Sequence, residues 1–387
     1  MQFELTETQK TLKNTVRKFL SVECPIAEVR PLMETETAYD ASLWQKMADQ
    51  GWTGMLIPEQ YGGFGMGMVE MAATLEEMGR ALLPGPFFST VVMAGTLIEK
   101  AGNEAQKEKY LGATARGEIK VTVAFLEDPP AWTPQDVQLK ARASGGAYLL
   151  DGTKLFVPDA GVADVIVVIA RLDGELALFV VGRDTQGVAI RPMSSIDLTR
   201  KVYEIKFDCV CVPPEAMLAS GPPAVEALGR ARAMATVGLV AEMTGGMQRL
   251  LDMTVEYAKT RKQFGRPIGQ FQAVQHQCAD MLVLTESSRS AAYYAAYAIQ
   301  EGIPEAPLAV SVAKAYASEA YRETGNRAIQ VHGGMGFTWE NDAHLYYRRA
   351  KVSEQMFGDA TFHREVIAKL IVDANPVRQE ELAASRG

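Results

Sequence analysis

Cysteine and histidine are scarce, with four of each in 387 residues. Cys24, Cys209, Cys211 and Cys278 form no Cys-x-x-Cys pair, and no histidine has a partner at His-x-x-x-His spacing. Neither a zinc site nor a disulfide framework is expected; the thiols read as reduced packing groups. Positive charge is also short. A formal charge of −8 argues against a broad basic face for nucleic acid, though not against a local basic pocket. No apolar run approaches the roughly 20 residues that span a bilayer. The opening "MQFELTETQK" lacks the basic n-region and apolar core of a secretory signal. These absences point to a cytoplasmic globular chain, long enough for two or three domains.

What is present changes character twice along the chain. Residues 1–120 read as a helical domain. "LTETQKTLKNTVRKFLSV" puts Leu5, Leu12, Val16, Phe19 and Leu20 near one face, and Thr6 with Gln9 resembles a capping box. "YDASLWQKMADQGW" is a second helix stopping at Gly51, and "MGMVEMAATLEEMGRALLP" a third ended by Pro84. Residues 121–223 hold short segments rich in Val, Ile, Phe and Tyr, such as "ADVIVVIARL" and "VYEIKFDCVCVP", separated by turns at Asp151-Gly152 and Asp173-Gly174. This predicts a β-domain, a small barrel or sandwich. Residues 224–387 return to long helices with periods of three and four, as in a four-helix bundle. The tail from Asn375 is polar and reads as loose. The fold class is therefore α+β, in the order helices, sheet, helices.

Two stretches carry more than fold. "YAKTRKQFGRPIGQFQAVQH" (Tyr257–His276) and "AIQVHGGMGFTWEND" (Ala328–Asp342) resemble the signature stretches of the acyl-CoA dehydrogenases, and the resemblance extends over nearly the whole chain. It implies a flavoprotein that desaturates an acyl-CoA thioester between Cα and Cβ and passes electrons to an electron-transfer flavoprotein. It also implies FAD contacts from Arg261, Gln263, Phe264, Phe271 and Gln272, reaching the cofactor of a neighbouring subunit. Gln330 and the bare backbone of Gly333, Gly334 and Gly336 would meet the diphosphate. The residue types suit these contacts, because a guanidinium forks onto phosphate oxygens and glycine lets a backbone approach closely. His276 and His332 read as ordinary hydrogen-bonding groups and Glu242 as a buried structural carboxylate.

The chain departs from the family pattern at the flavin and thioester end. The usual Trp-Ile-Thr matches Phe156-Val157-Pro158, and proline has neither amide donor nor hydroxyl. "FLEDPPAWTPQD" replaces Thr-Glu-Pro followed by Gly-Ser-Asp. Thr236 stands where an arginine usually meets the CoA, with Arg230 and Arg232 one or two turns earlier. "FGDATFHRE" replaces Tyr-Glu-Gly-Thr, so that Gly358 or Phe357 falls at the catalytic glutamate and Asp359 is the nearest carboxylate. Asp359 reads either as the catalytic base or as the N-cap of the next helix, and the two roles are compatible. These departures resemble the divergent bacterial subclass built from two different subunits, used on steroid side-chain or dicarboxylic acyl-CoA. Two readings follow: an enzyme using Asp359, as a homo-oligomer or hetero-oligomer, or a non-catalytic subunit that completes the FAD site of a partner.

Overall fold

The computed structural model describes residues 5–130 and 132–373; the tail from Asn375 lies outside them. Six helices open the chain: α1 (Glu7–Glu23), α2 (Ile26–Glu34), α3 (Ala41–Asp49), α4 (Met68–Arg80), α5 (Gly95–Ala101) and α6 (Glu104–Ala115). The Thr6–Gln9 capping box forms, and Val16 and Leu20 are buried while Leu12 and Phe19 pack partly against the core. Gly51 adopts φ +77° just after α3, as a stop residue should. Sequence periodicity missed α2, whose pattern is obscured by Pro25 and Pro31, and missed the π-helical turn Phe88–Ala94 behind "PGP".

Eight strands follow: β1 (Val121–Ala124), β2 (Lys140–Ser144), β3 (Ala147–Pro158), β4 (Val165–Leu172), β5 (Glu175–Gly182), β6 (Val188–Met193), β7 (Val202–Val212) and β8 (Met217–Ser220). They form one mixed sheet in the order β6-β7-β3-β2-β4-β5-β8, with β1 parallel to β4. β4 shows why its sequence is apolar without alternation. Ile166, Val168 and Ala170 face the core of the sheet domain, whereas Val167 and Ile169 face the core shared with the helices. On β7 the alternation slips once, at the exposed pair Asp208–Cys209, where Cys209 takes φ +49° and the register against β3 shifts; beyond it Val210 and Val212 are buried and Cys211 is exposed. The expectation that all four cysteines pack inside therefore fails. Only Cys24 is buried, and burial pushes its thiol up to about 12.

The last region is built on α7 (Pro222–Thr260), α8 (Gln272–Gln300) and α9 (Ala306–His332), with α10 (Ala343–Gln355) and α11 (Ala360–Ala368) against α9. α7 also crosses α4 at backbone contact. A Cβ on Gly245 would stand 1.7 Å from the Glu76 carbonyl, and one on Gly79 2.0 Å from that of Glu242. This crossing seats the N-terminal helices on the bundle, and the sheet closes the third side.

Candidate active site

The link between α10 and α11 carries the stretch that departs from the family pattern. Phe357 turns through φ +60° and Gly358 through φ +101°. A Cβ on Gly358 would lie 2.3 Å from the Phe362 ring, so glycine is required there. Asp359 is the N-cap of α11: its Oδ1 accepts from the Phe362 amide at 2.8 Å. The second carboxylate oxygen is not used by the cap. Behind the link sits Lys314, with no solvent exposure. Its ammonium donates to Gly358 O at 2.8 Å, Glu354 O at 3.0 Å and Ser318 Oγ at 2.9 Å. Burial brings its pKa down to about 7, against the pull of Asp359 and Glu354. His363 Nε2 lies 3.2 Å from the Phe357 carbonyl, and its Nδ1 has no partner. Burial, Lys314 and Arg232 together hold this imidazole down at about 4, so it is neutral at pH 7.

Aromatic rings pack on one another between this link and the sheet. Trp132 lies 5.0 Å from Phe357 and 5.7 Å from Phe125, and Phe88 is 6.1 Å from Phe357. The Trp132 indole donates to the Gln355 carbonyl at 3.1 Å. Arg232 of α7 places its guanidinium 5.8 Å over Phe125. Arg230, earlier on the same helix, is turned away and donates to Ile299 O.

Deeper in, a polar network joins the three regions. Arg200 donates to Glu242 at 2.6 Å, Arg349 pairs with Asp197 and Thr199, and Ser89 donates to Asp159 at 2.7 Å. Glu242 is the buried structural carboxylate expected from the sequence. A small cavity beside it is lined by Phe88, Pro158, Asp159, Arg200 and Met356. Asp159 is fully enclosed there, and desolvation raises its carboxyl to about 6.

The residues matched to diphosphate contacts lie at the far ends of α7 and α9. Arg261 caps α7, Gln263 and Phe264 lie on the short hairpin that follows, and Phe271 and Gln272 open α8. The Phe264 ring is 91% exposed and meets Phe271 edge-on at 6.0 Å. Gln330 is exposed at the end of α9, and Gly333, at φ +61°, and Gly334 have open space where a side chain would stand. Gly336 differs: it is buried, and a Cβ would meet the Ile329 carbonyl at 2.9 Å. Tyr257 joins the two groups by stacking on His332 at 4.5 Å. His332 is otherwise spent on the Ala328 carbonyl.

These observations test the fit of FAD. Exposed cation, amides and ring edges pointing away from the chain suit a diphosphate and its flanking groups held against a neighbour. At the flavin end Phe156, at φ +52° and 42% exposed, offers a ring, but Pro158 offers no donor. Phe156 is tied through its amide to Met193 Sδ, and no described hydrogen bond or ring contact joins it to Asp359 or to the diphosphate residues. Sequence reading missed Trp132, Lys314 and the Asp197–Arg349 pair. The signal for Lys314 was present: a lone lysine in the alanine-rich run "SVAKAYA".

Comparison with known proteins agrees with this architecture. Three family models match in order: the acyl-CoA dehydrogenase N-terminal domain at residues 6–118, the middle domain at 133–210 and the C-terminal domain at 224–372. The acyl-CoA dehydrogenase IpdE2 of Mycobacterium tuberculosis is 31% identical over 365 residues, covering 94% of this chain and 96% of the relative. A chain of the ChsE4–ChsE5 complex from Mycobacterium tuberculosis superposes with a TM-score of 0.88 at 30% identity, covering 97% of this chain and all of that one. Butyryl-CoA dehydrogenase from Megasphaera elsdenii gives 0.88 at 26% identity, covering 96% of this chain and 100% of that one. The chain belongs to the acyl-CoA dehydrogenase family.

Proposed function

We propose that this chain works in the cytoplasm in an FAD-dependent acyl-CoA dehydrogenase that removes the α-proton and β-hydride of a thioester. Electrons then pass to an electron-transfer flavoprotein. The observation that carries the reading is the link Phe357–Asp359, where a strained backbone, a glycine that tolerates no side chain and a carboxylate with one free oxygen stand together. When bound, FAD supplies the acceptor for the hydride. Arg261, Gln263, Phe264, Phe271, Gln272, Gln330, Gly333 and Gly334 hold the diphosphate half, Gly336 packs their loop, and Phe156 faces the flavin. A backbone amide beside Asp359 receives the thioester oxygen, which acidifies the α-carbon. Asp359 takes the proton through its uncapped oxygen. Lys314 positions the link through the Gly358 and Glu354 carbonyls.

A second reading has its own support. Pro158 lacks a donor, Gly358 or Phe357 rather than a carboxylate falls at the glutamate position, and Trp132 packs on Phe357. A chain of this kind can instead complete the FAD site of a different, catalytic subunit. The ChsE4–ChsE5 complex is a relative made of two such chains. One experiment tests both. The purified chain, alone and with its partner, is titrated anaerobically with a saturated acyl-CoA while the flavin absorbance is followed. Bleaching of a yellow chain on its own supports the enzyme. A colourless chain that becomes part of a yellow, bleachable assembly supports the completing subunit. A yellow protein that no acyl-CoA bleaches overturns both.

A further inference from the structure

A cleft of about 510 Å³ lies between the second half of α1, the start of α2, the end of α4 and the helices α7 and α10. Its volume is in the range of small-molecule sites. It shares no lining residue with the cavity beside Glu242, and none with the link Phe357–Asp359. Its charges are one-sided. Arg17, Lys18, Arg80 and Arg249 line it against a single carboxylate, that of Glu77. Two of the arginines already have an acid. Arg17 forks onto both oxygens of Glu77, at 2.8 and 2.7 Å, and Arg80 reaches Asp252 at 2.6 Å. Arg249 has none. It is half-buried, and its one partner among the described residues is the hydroxyl of buried Tyr346. That hydroxyl gives its own proton to the Arg80 carbonyl at 2.7 Å, so its oxygen is left to accept from the guanidinium. A neutral acceptor leaves the charge of Arg249 unbalanced. Lys18, exposed on α1 and without an ion pair among the described residues, adds a second uncompensated cation. Leu20, Pro25 and Ile26 supply an aliphatic wall beside these charges.

We propose that this cleft is a binding site for a free aliphatic carboxylate, distinct from the acyl-CoA site, with Arg249 as its anchor. Guanidinium and carboxylate match in plane and spacing, and the head group supplies the counter-charge that Arg249 lacks. Lys18 at the rim draws the anion in. The hydrocarbon tail covers Leu20, Pro25 and Ile26, which are otherwise apolar surface facing an open cleft. A bare inorganic anion leaves that wall and most of the volume unused. A nucleotide suits the cleft less well, because the only uncharged polar side chains near the cations are Ser21 and Tyr346, too few to read a base, and the Tyr346 hydroxyl is already engaged. The proposal stands whichever reading of the active site holds.

The probe is octanoate, titrated by calorimetry into the flavin-loaded native assembly, with octanol, inorganic phosphate and octyl phosphate as comparisons. Octanoate is expected to bind. Octanol and phosphate should each bind about tenfold more weakly or worse, since each lacks one half of the match. Arg249→Met should weaken octanoate by about tenfold or more, the loss of one charge-assisted contact, and Arg249→Lys should restore part of it. Ser21→Glu, at an exposed position of α1, brings a carboxylate of the chain's own to the cleft and should exclude octanoate. This second variant decides the matter if Arg249→Met does not fold. Octanoate affinity unchanged in Ser21→Glu and in the folded Arg249 variants would place the bound probe elsewhere, the acyl-CoA site included, and overturn the proposal. So would the absence of octanoate binding at millimolar concentration, octanol binding as tightly as octanoate, or a preference for phosphate or octyl phosphate over octanoate.

Discussion

At the scale of single residues, two carboxylates make opposite use of their surroundings. Asp359 holds a helix end with one oxygen and leaves the other free. Asparagine caps about as well as aspartate, so Asp359→Asn should melt within a few degrees of the wild type. It accepts no proton at neutral pH, and turnover of the native assembly should fall by about 10² or more. An active assembly whose rate ignores the substitution would assign the base to another subunit. Asp159 is enclosed instead: burial raises its pKa from 3.8 to about 6, opposed by Ser89 and Arg200. A folded pKa above the unfolded one means its favourable contribution is complete below pH ~3.8 and is lost as the pH rises through about 6. A difference of that size corresponds to on the order of 3 kcal/mol. Asp159→Asn, which still accepts from Ser89, should therefore be more stable at pH 7, and its urea midpoint should lose the fall across pH 4–6. A midpoint profile superimposable on the wild type would show that Asp159 is not shielded as described.

At the scale of elements, the loop between β6 and β7 is held to the bundle by buried charge as well as by the packing of Leu198. Arg349 of α10 reaches Asp197 and Thr199 in that loop, and Arg200 reaches Glu242 of α7. All four charged groups are buried. Removing one partner strands the other, so Arg349→Met should cost about 3–5 kcal/mol, and Asp197→Leu added to it should recover much of the loss. Chemical denaturation of the two single variants and the double variant measures the coupling; strict additivity would mean that the pair does not act as a unit. None of this was legible in the sequence, because a buried ion pair between positions so far apart in the chain leaves no periodic trace. What was legible is local. The Thr6 cap, the stop at Gly51, the strand with two apolar faces and the long bundle helices each follow from neighbours a few residues away. α2 and the π-helical turn were lost because prolines and glycines punctuate them. Asp359 was readable as a cap because N-cap chemistry is local. Lys314 left only a trace, a lysine among small residues, because its role lies in which distant carbonyls it reaches.

At the scale of the whole molecule, the surfaces that matter face away from the chain. Leu282 and Val283 on α8 and Val312 and Tyr316 on α9 are exposed apolar residues on bundle helices, Val283 at 62%. Phe264 projects from the hairpin beyond α7, supported by Phe271 and, through it, by Arg266 stacked at 4.2 Å. A group that is apolar, exposed and braced from behind is suited to a neighbour's surface. In the proposed assembly Arg261, Gln263 and Gln330 would reach the cofactor of that neighbour. The assembly and the flavin should therefore be linked but separable. Arg261→Ala removes one charge-assisted contact to the diphosphate, worth on the order of 2 kcal/mol, and none of the apolar contacts between chains. Sedimentation should give an oligomer of unchanged mass for the wild type and the variant at micromolar concentration. The ratio of flavin to protein absorbance after gel filtration should drop severalfold in the variant alone. A wild type that sediments as a monomer while retaining FAD would show that one chain holds the cofactor unaided, and full flavin retention by Arg261→Ala would remove the hairpin from the diphosphate site.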